Sequence, residues 1–117
     1  MNSLLFRTAA AFCFLAVGLG AFGAHALKGT LQAHATTDVW KTAVLYHLVH
    51  ALVLLVLATL PATSRVTSGL FMGGIILFSG SLYLLALTNI RWLGAITPLG
   101  GLCFLAGWLA LVIWPSR

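Results

Sequence analysis

The chain has 117 residues, of which 62% are hydrophobic and 6% are charged, with six basic side chains and one acidic side chain. So few polar side chains cannot cover a water-soluble globule, and the length leaves room for one domain without a soluble module. Because the basic residues are dispersed singly and form no stripe, the net charge of +5 does not predict nucleic-acid binding.

Four apolar stretches, each about 20 residues long, occupy most of the sequence. An α-helix rises about 1.5 Å per residue, so each stretch matches a bilayer core of roughly 30 Å. The stretches predict transmembrane helices at about residues 4–27, 39–60, 66–88 and 92–114. Short connections make successive helices antiparallel. The predicted fold is therefore an all-α, integral membrane four-helix antiparallel up-down bundle, a single transmembrane domain over residues 1–117.

The ends of the first two helices are indicated by local signals. Lys28 suits the last turn of the first helix, and Gly29 suits the position after it. A polar loop follows, and Asp38 is a candidate N-cap for the second helix. The first stretch resembles a signal peptide, but its apolar run exceeds the usual 7 to about 15 residues. We therefore expect it to be retained as a transmembrane helix.

The start of the fourth helix has two interpretations. Thr97 and Pro98 fit an N-cap followed by proline at the first helical position. A helix from Pro98 to Trp114 would be about 25 Å long, which is barely enough to span the membrane. Alternatively, the helix begins near Trp92 and kinks at Pro98, which is the interpretation that we favour.

Four spans place both termini on one side of the membrane. Three basic side chains are predicted on that side, Arg7, Arg65 and Arg117, and three on the other, Lys28, Lys41 and Arg91. The positive-inside rule is therefore tied, and only the α-amino group favours cytoplasmic termini. Trp40 and Trp92 are expected in the interfacial aromatic belt of the side opposite the termini.

The second predicted helix carries His47 and His50 at membrane depth, three residues apart and therefore on one face. Counted from Trp40, they lie about 10 and 15 Å deep. Burial disfavours a charged imidazolium, so both are expected to be neutral and to face protein. Three interpretations stay open: hydrogen bonds to neighbouring helices, handling of a proton or substrate, and a metal site with His25 as third ligand.

The polar side chains at membrane depth form the candidate site. They are His25, Tyr46, His47, His50, Ser79, Ser81 and Tyr83. Asp38 is the single side-chain carboxylate of the sequence, which excludes chemistry that needs paired carboxylates. The Ser-Gly-Ser string at residues 79–81 is not a nucleophile elbow. No catalytic residue, cofactor or metal is predicted, and the chain is expected not to be an enzyme.

A set of glycines is predicted to let helices approach closely. They are Gly20, Gly23, Gly69, Gly73, Gly80, Gly100 and Gly101. Gly69 and Gly73 have the G-x-x-x-G spacing that brings transmembrane backbones together. We expect Gly69, Gly73 and Gly80 to lie at a helix–helix contact.

Several short strings stand in the order found in a known family. They are GAFGAH at residues 20–25, YHLVH at 46–50, FSGSLY at 78–83, TPLGG at 97–101 and FLAGW at 104–108. In these strings the chain resembles the YgdD-like family of small four-helix membrane proteins, a domain of unknown function with bacterial members and an animal transmembrane branch. The resemblance covers all four predicted helices. It implies a multi-pass protein of the bacterial inner membrane and no particular activity.

The functional prediction is a non-enzymatic structural or interaction protein in the lipid bilayer, which packs into a homo-oligomer or onto another membrane protein. The first alternative is an oligomeric channel or transporter that uses the histidine, tyrosine and serine cluster. The second is a metal-binding membrane protein, which rests on the histidines alone. Since four helices alone rarely enclose a passage, the oligomeric state distinguishes the first two interpretations.

Overall fold

The computed structural model describes residues 2–115, and the predicted position of Arg117 lies outside them. The described regular elements are all helical: α1 (Ser3–Ala24), α2 (Lys28–His34), α3 (Thr37–Thr59), α4 (Arg65–Thr88) and α5 (Thr97–Ile113), with a 3₁₀ turn at Arg91–Ala95 before α5. Four helical segments are long and apolar enough to cross a membrane: α1, α3, α4 and the segment Arg91–Ile113. The predicted all-α, four-helix membrane fold is confirmed.

The spanning helices pack in chain order into a flattened bundle. α1 packs against α3, α3 against α4, and α4 against α5. The molecule measures 47 × 25 × 17 Å, so its long axis exceeds a hydrocarbon core of about 30 Å and reaches into both interfaces. All four spans contribute to the main apolar core, which consists of Leu5, Ala9, Ala51, Leu54, Leu57, Ala58, Phe71, Ile75 and Phe104.

Both ends of the described chain lie at the same end of the bundle. The Asn2 amide donates to the Ala58 carbonyl at 2.9 Å, near the end of α3. Trp114 and Pro115 line a small depression together with Ser64, in the connection between α3 and α4. We call this the terminal end. The opposite end, formed by α2 and the connection between α4 and α5, is the α2 end.

The segment between the first two spans is more ordered than predicted. α1 ends at Ala24, earlier than expected, and part of the predicted polar loop forms α2. Ala35 closes α2 in the left-handed conformation, with φ of 54°. The His34 Nδ1 and the Thr36 hydroxyl lie 3.0 and 2.9 Å from the Ala86 carbonyl oxygen. These hydrogen bonds dock the segment on α4, and an apolarity pattern cannot reveal them.

The starts of α3 and α5 also differ from the favoured predictions. α3 begins at Thr37, so Asp38 lies in its first turn and not at the N-cap. α5 begins at Thr97 with Pro98 in its first turn. The favoured single helix from Trp92 with a kink at Pro98 is not observed. Proline lacks an amide hydrogen and has a fixed φ, which suits the first turn of a helix and disrupts its interior.

Close helix approach at glycine occurs at three of the predicted positions, Gly20, Gly23 and Gly100, whereas a Cβ atom at Gly101 would make only an ordinary contact of 3.9 Å with the Phe78 side chain. A Cβ atom at Gly23 would overlap the Trp40 indole, so this glycine makes room for a large ring between α1 and α3. A Cβ atom at Gly100 would overlap the backbone of Phe78, where α4 and α5 meet most closely.

The other three predicted glycines, all on α4, are open: Gly69, Gly73 and Gly80. A Cβ atom at any of them would meet no heavy atom within 4 Å, so the predicted contact is wrong for the helices of this chain. α4 instead packs through Gly74, where a Cβ atom would overlap the Phe104 ring. Successive residues differ by about 100° around a helix, so a shift of one position moves a glycine from an outer face to a packed one.

Candidate functional site

A buried seam of α3 carries the two membrane-depth histidines. The buried residues recur at intervals of three and four: Trp40, Ala43, His47, His50 and Leu54. This spacing keeps side chains on one helix face. Both histidines point into protein, as the sequence predicted, and are at most 5% exposed.

His47 is hydrogen-bonded across the contact between α3 and α4. Its Nδ1 lies 2.8 Å from the Tyr83 hydroxyl oxygen. The Tyr83 ring packs against Trp40 with a centroid distance of 4.8 Å, and Phe12 of α1 lies edge-on to the imidazole at 6.2 Å. The Nε2 atom of His47 is buried and has no hydrogen-bond partner among residues 2–115. His47 thus joins α3 to α4 through Nδ1, while Nε2 makes no hydrogen bond to the described residues.

His50 connects α3 to α5. The Trp108 indole N–H donates to His50 Nε2 at 3.1 Å, and His50 Nδ1 lies 2.8 Å from the Tyr46 carbonyl oxygen. The imidazole also stacks on Phe104, with ring centroids 3.7 Å apart and an interplanar angle of 10°. Hydrogen bonds and ring stacking therefore hold the same side chain in place.

The partners of His50 determine which nitrogen carries its proton. An indole can only donate a hydrogen bond, so Nε2 must present a lone pair to Trp108. A carbonyl can only accept, so Nδ1 carries the hydrogen that it donates to Tyr46. The arrangement selects the neutral tautomer with hydrogen on Nδ1.

Two serines lie at the end of a π-helical segment of α4, Ile75–Ser79: Ser79 is its last residue, and Ser81 follows two residues later. Such a segment widens the helical turn and changes which residues face each neighbour. Ser79 is buried and donates to the Ala43 carbonyl of α3 at 2.8 Å. The Ser81 hydroxyl lies 2.7 Å from the Thr97 hydroxyl at the start of α5. The serines therefore connect α4 to both of its neighbours.

His25 lies apart from the other predicted site residues. Phe12 of α1 contacts His47, and His25 follows Phe12 by about 20 Å along the helix axis. His25 is exposed and adjoins Phe22 in a surface depression. Within residues 2–115, no group of three or more His, Cys, Asp or Glu side chains could hold a metal ion. The open alternative of a metal site with His25 as third ligand beside His47 and His50 is therefore not supported by this geometry.

Tyr46 contributes to the network mainly through its backbone. Its side chain is 41% exposed, and its ring packs against Phe78 with a centroid distance of 4.7 Å. The Tyr46 carbonyl oxygen is the atom that His50 contacts. Tyr46 therefore adjoins His50, while its ring lies at the edge of the aromatic packing.

Sequence reasoning missed two tryptophans of the network. Trp40 was assigned to an interfacial belt, yet it is buried and donates its indole N–H to the Leu19 carbonyl at 2.9 Å. Its position seven residues before His47 on the same face was the available signal. Trp108 is 43% exposed, so it faces the surface while it binds His50. Only the tertiary structure reveals that contact.

Four side-chain hydrogen bonds of this network run between helices. The connections are His47 to Tyr83, His50 to Trp108, Ser79 to the Ala43 carbonyl, and Ser81 to Thr97. Asp38, the single side-chain carboxylate, is exposed in the first turn of α3 near the α2 end. These side chains therefore hydrogen-bond α3, α4 and α5 to one another, and Asp38 is not among them.

Comparison with known proteins gives a family match over most of the chain. A family model described as "Protein of unknown function (DUF423)" matches residues 19–101. The chain is 47% identical over 114 residues to the UPF0382 membrane protein SH2409 of Staphylococcus haemolyticus, covering 93% of each chain. It is 51% identical over 105 residues to the UPF0382 membrane protein YwdK of Bacillus subtilis, covering 85% of each. No solved structure matches the chain.

Proposed function

Since the chain belongs to the DUF423 family of multi-pass bacterial membrane proteins, a family whose description states no activity, we propose a function from its own geometry. The proposed function is that of a non-enzymatic structural or interaction protein. It acts by packing an open face of α4 against a second transmembrane helix.

The internal hydrogen bonds support a structural role for the membrane-depth polar groups. His50 has both ring nitrogens paired, and Ser79 and Ser81 each bond to a neighbouring helix. A group that binds a substrate or moves a proton needs access and a free donor or acceptor. Groups already paired within the bundle give it a rigid framework for association.

The observation that carries the proposal is the open glycine ridge of α4. Val66 and Ile76 are 69% and 60% exposed, and no heavy atom lies within 4 Å of a Cβ atom built at Gly69 or Gly73. Small residues spaced by four let two transmembrane backbones approach closely. Since this chain does not fill the ridge itself, we propose that a second copy of the chain, or another membrane protein, fills it.

The test measures association in a bilayer. We expect labelled protein in liposomes to show energy transfer that rises with the ratio of protein to lipid. Gly73→Leu should weaken association by roughly 5- to 150-fold, which corresponds to about 1–3 kcal/mol of overpacking. Its thermal unfolding should stay near that of the parent, because a Cβ atom at Gly73 would meet no heavy atom of its own chain within 4 Å.

Gly18→Leu is the matched control, because Gly18 lies on α1 and also has open surroundings. Equal losses of association in the two variants would contradict a specific role for the α4 ridge. If the parent protein is monomeric in liposomes, we expect cross-linking in cells to capture another membrane protein through this ridge. Failure of both measurements would overturn the proposed function.

One observation favours the oligomeric channel as a second candidate. His47 Nε2 is buried and has no hydrogen-bond partner among the described residues, so it retains a free position. If this nitrogen served a passage, His47→Phe would abolish solute or proton flux across liposomes without changing association. The same variant would leave association and flux unchanged if the protein only packs.

The finer assignments of location and family are also proposals. We place the protein in the bacterial inner membrane with both termini cytoplasmic. The basic side chains are tied at three on each side, so the α-amino group alone favours this orientation. The YgdD-like name is proposed on the five short strings described above.

A further inference from the structure

A cavity of ≈ 500 Å³ lies at the α2 end, between α1, α2 and α3. Cavities of about 300–1,000 Å³ are typical of small-molecule sites. Gly20 and Gly23 of α1 and Val44 of α3 form part of its wall. Gly23 makes room for the Trp40 indole, and a Cβ atom at Gly20 would lie 3.3 Å from a methyl carbon of Val44, so both glycines bring α1 close to α3 at this wall.

Trp40 makes one side of this cavity apolar. Its indole N–H is already donated to the Leu19 carbonyl at 2.9 Å, and its ring lies against Gly23. The indole is 3% exposed, so only a small part of the ring reaches the cavity, and its N–H is already paired. Ala24 and Val44, which also line the cavity and are less buried, complete an apolar wall that suits hydrocarbon.

The rim of the cavity is cationic and polar. Lys28 and Lys41 both line it and are both exposed, and Gln32 and Thr37 provide further hydrogen-bond donors. Asp38, the single side-chain carboxylate of the sequence, is not among the lining residues. The rim is thus complementary in charge to an anion.

Charge and apolarity are separated along the depth of the cavity. Val44 follows Lys41 by about 4.5 Å along α3, on the side toward the middle of the membrane. A ligand that fits must therefore have an anionic head at the interface and an apolar tail directed into the bilayer. A free phosphate ion would use the rim and leave the apolar wall uncovered.

We propose that this cavity binds one anionic phospholipid. The phosphate lies between Lys28 and Lys41, with Gln32 and Thr37 as additional donors, and the start of an acyl chain covers Ala24 and Val44. The inference is independent of the proposed association through α4, because the cavity is built from other elements.

The test uses the full chain in a neutral detergent and counts bound lipid by native mass spectrometry. Phosphatidylglycerol should bind one per protein chain, whereas phosphatidylcholine at the same concentration and inorganic phosphate should not. Each of Lys28→Gln and Lys41→Gln should weaken phosphatidylglycerol binding about fivefold, and the double variant on the order of 25-fold. Gly20→Leu should reduce binding by filling the apolar wall while both lysines remain.

The matched control is the double variant Arg7→Gln and Arg65→Gln, which removes two charges at the terminal end. It should retain phosphatidylglycerol. A loss as large as that of the lysine double variant would mean general attraction between cations and anionic lipid, and it would overturn the site. Equal binding of phosphatidylcholine, or equal binding by inorganic phosphate, would overturn it as well. Gly73→Leu should keep the lipid, which separates this inference from the proposed function.

Discussion

At the scale of single residues, four histidines occupy four different environments. His25 is exposed, His34 contacts the Ala86 carbonyl, His47 contacts Tyr83, and His50 has both of its nitrogens paired. A neutral imidazole donates once and accepts once, so it can bridge an acceptor on one helix and a donor on another. At His50 these groups are a carbonyl and an indole N–H, and the connection spans two helices.

The double pairing of His50 leads to a prediction about stability. His50→Ala should lower the free energy of unfolding by about 1–3 kcal/mol, because the Trp108 N–H loses its acceptor and a space opens beside Phe104. Trp108→Phe, which removes only the donor, should cost less. Thermal and denaturant unfolding in detergent measure both values. Leu109→Ala, which truncates an exposed side chain next to Trp108 on α5, is the control.

A different result would assign His50 another role. If His50→Ala unfolded like the parent while proton flux or a growth phenotype disappeared, the histidine would serve function and not structure. Such an outcome would also weaken the proposal of a non-enzymatic interaction protein.

At the scale of helices, the packing depends on single-residue offsets in α4. Gly73 faces open space and Gly74 faces Phe104, although the two residues are adjacent. The π-helical segment Ile75–Ser79 then shifts the register, and α5 approaches the backbone of Phe78 through Gly100. An α4 with the same composition but no such segment would present different residues to α5.

Substitution by alanine should change the free energy of unfolding differently at the packed glycine Gly100 and at the open glycine Gly73. Gly100→Ala should lower the free energy of unfolding by about 1–3 kcal/mol, because its Cβ atom would overlap Phe78 backbone that cannot rotate away. Gly73→Ala should be neutral or should stabilise the protein by up to about 1 kcal/mol, since alanine favours helix and the site is open. Unfolding of the two variants in detergent gives the comparison. Equal destabilisation would refute the assigned rotation of α4.

At the scale of the whole molecule, the bundle has two unlike ends. The terminal end holds Asn2, Pro115 and the connection between α3 and α4. The α2 end holds the cavity with Lys28 and Lys41, and there the Arg91 side chain donates to the His34 carbonyl at 3.2 Å. Any ligand of this cavity must therefore reach it from the side of the membrane that the α2 end faces.

Labelling of introduced cysteines tests the orientation. In a background with Cys13→Ala and Cys103→Ala, Thr30→Cys at the α2 end should react with a membrane-impermeant maleimide in intact cells. Ala62→Cys at the terminal end should react only after lysis. Both positions are exposed, so access is set by the membrane. The reverse pattern would place the termini outside and contradict the positive-inside assignment.

The sequence by itself determined the class of protein, the number of spans, the common side of the termini and the inward direction of His47 and His50. These features follow from local quantities: the length of an apolar run against the bilayer thickness, and the cost of an unpaired polar ring in hydrocarbon. Tertiary structure alone decided that His25 lies apart, that Gly74 packs while Gly73 is open, that Trp108 binds His50, and that α2 docks on Ala86. The physical reason is rotation. Each residue turns about 100° around its helix, and a π-helical segment changes that angle, so the partner of a side chain depends on how neighbouring helices are packed.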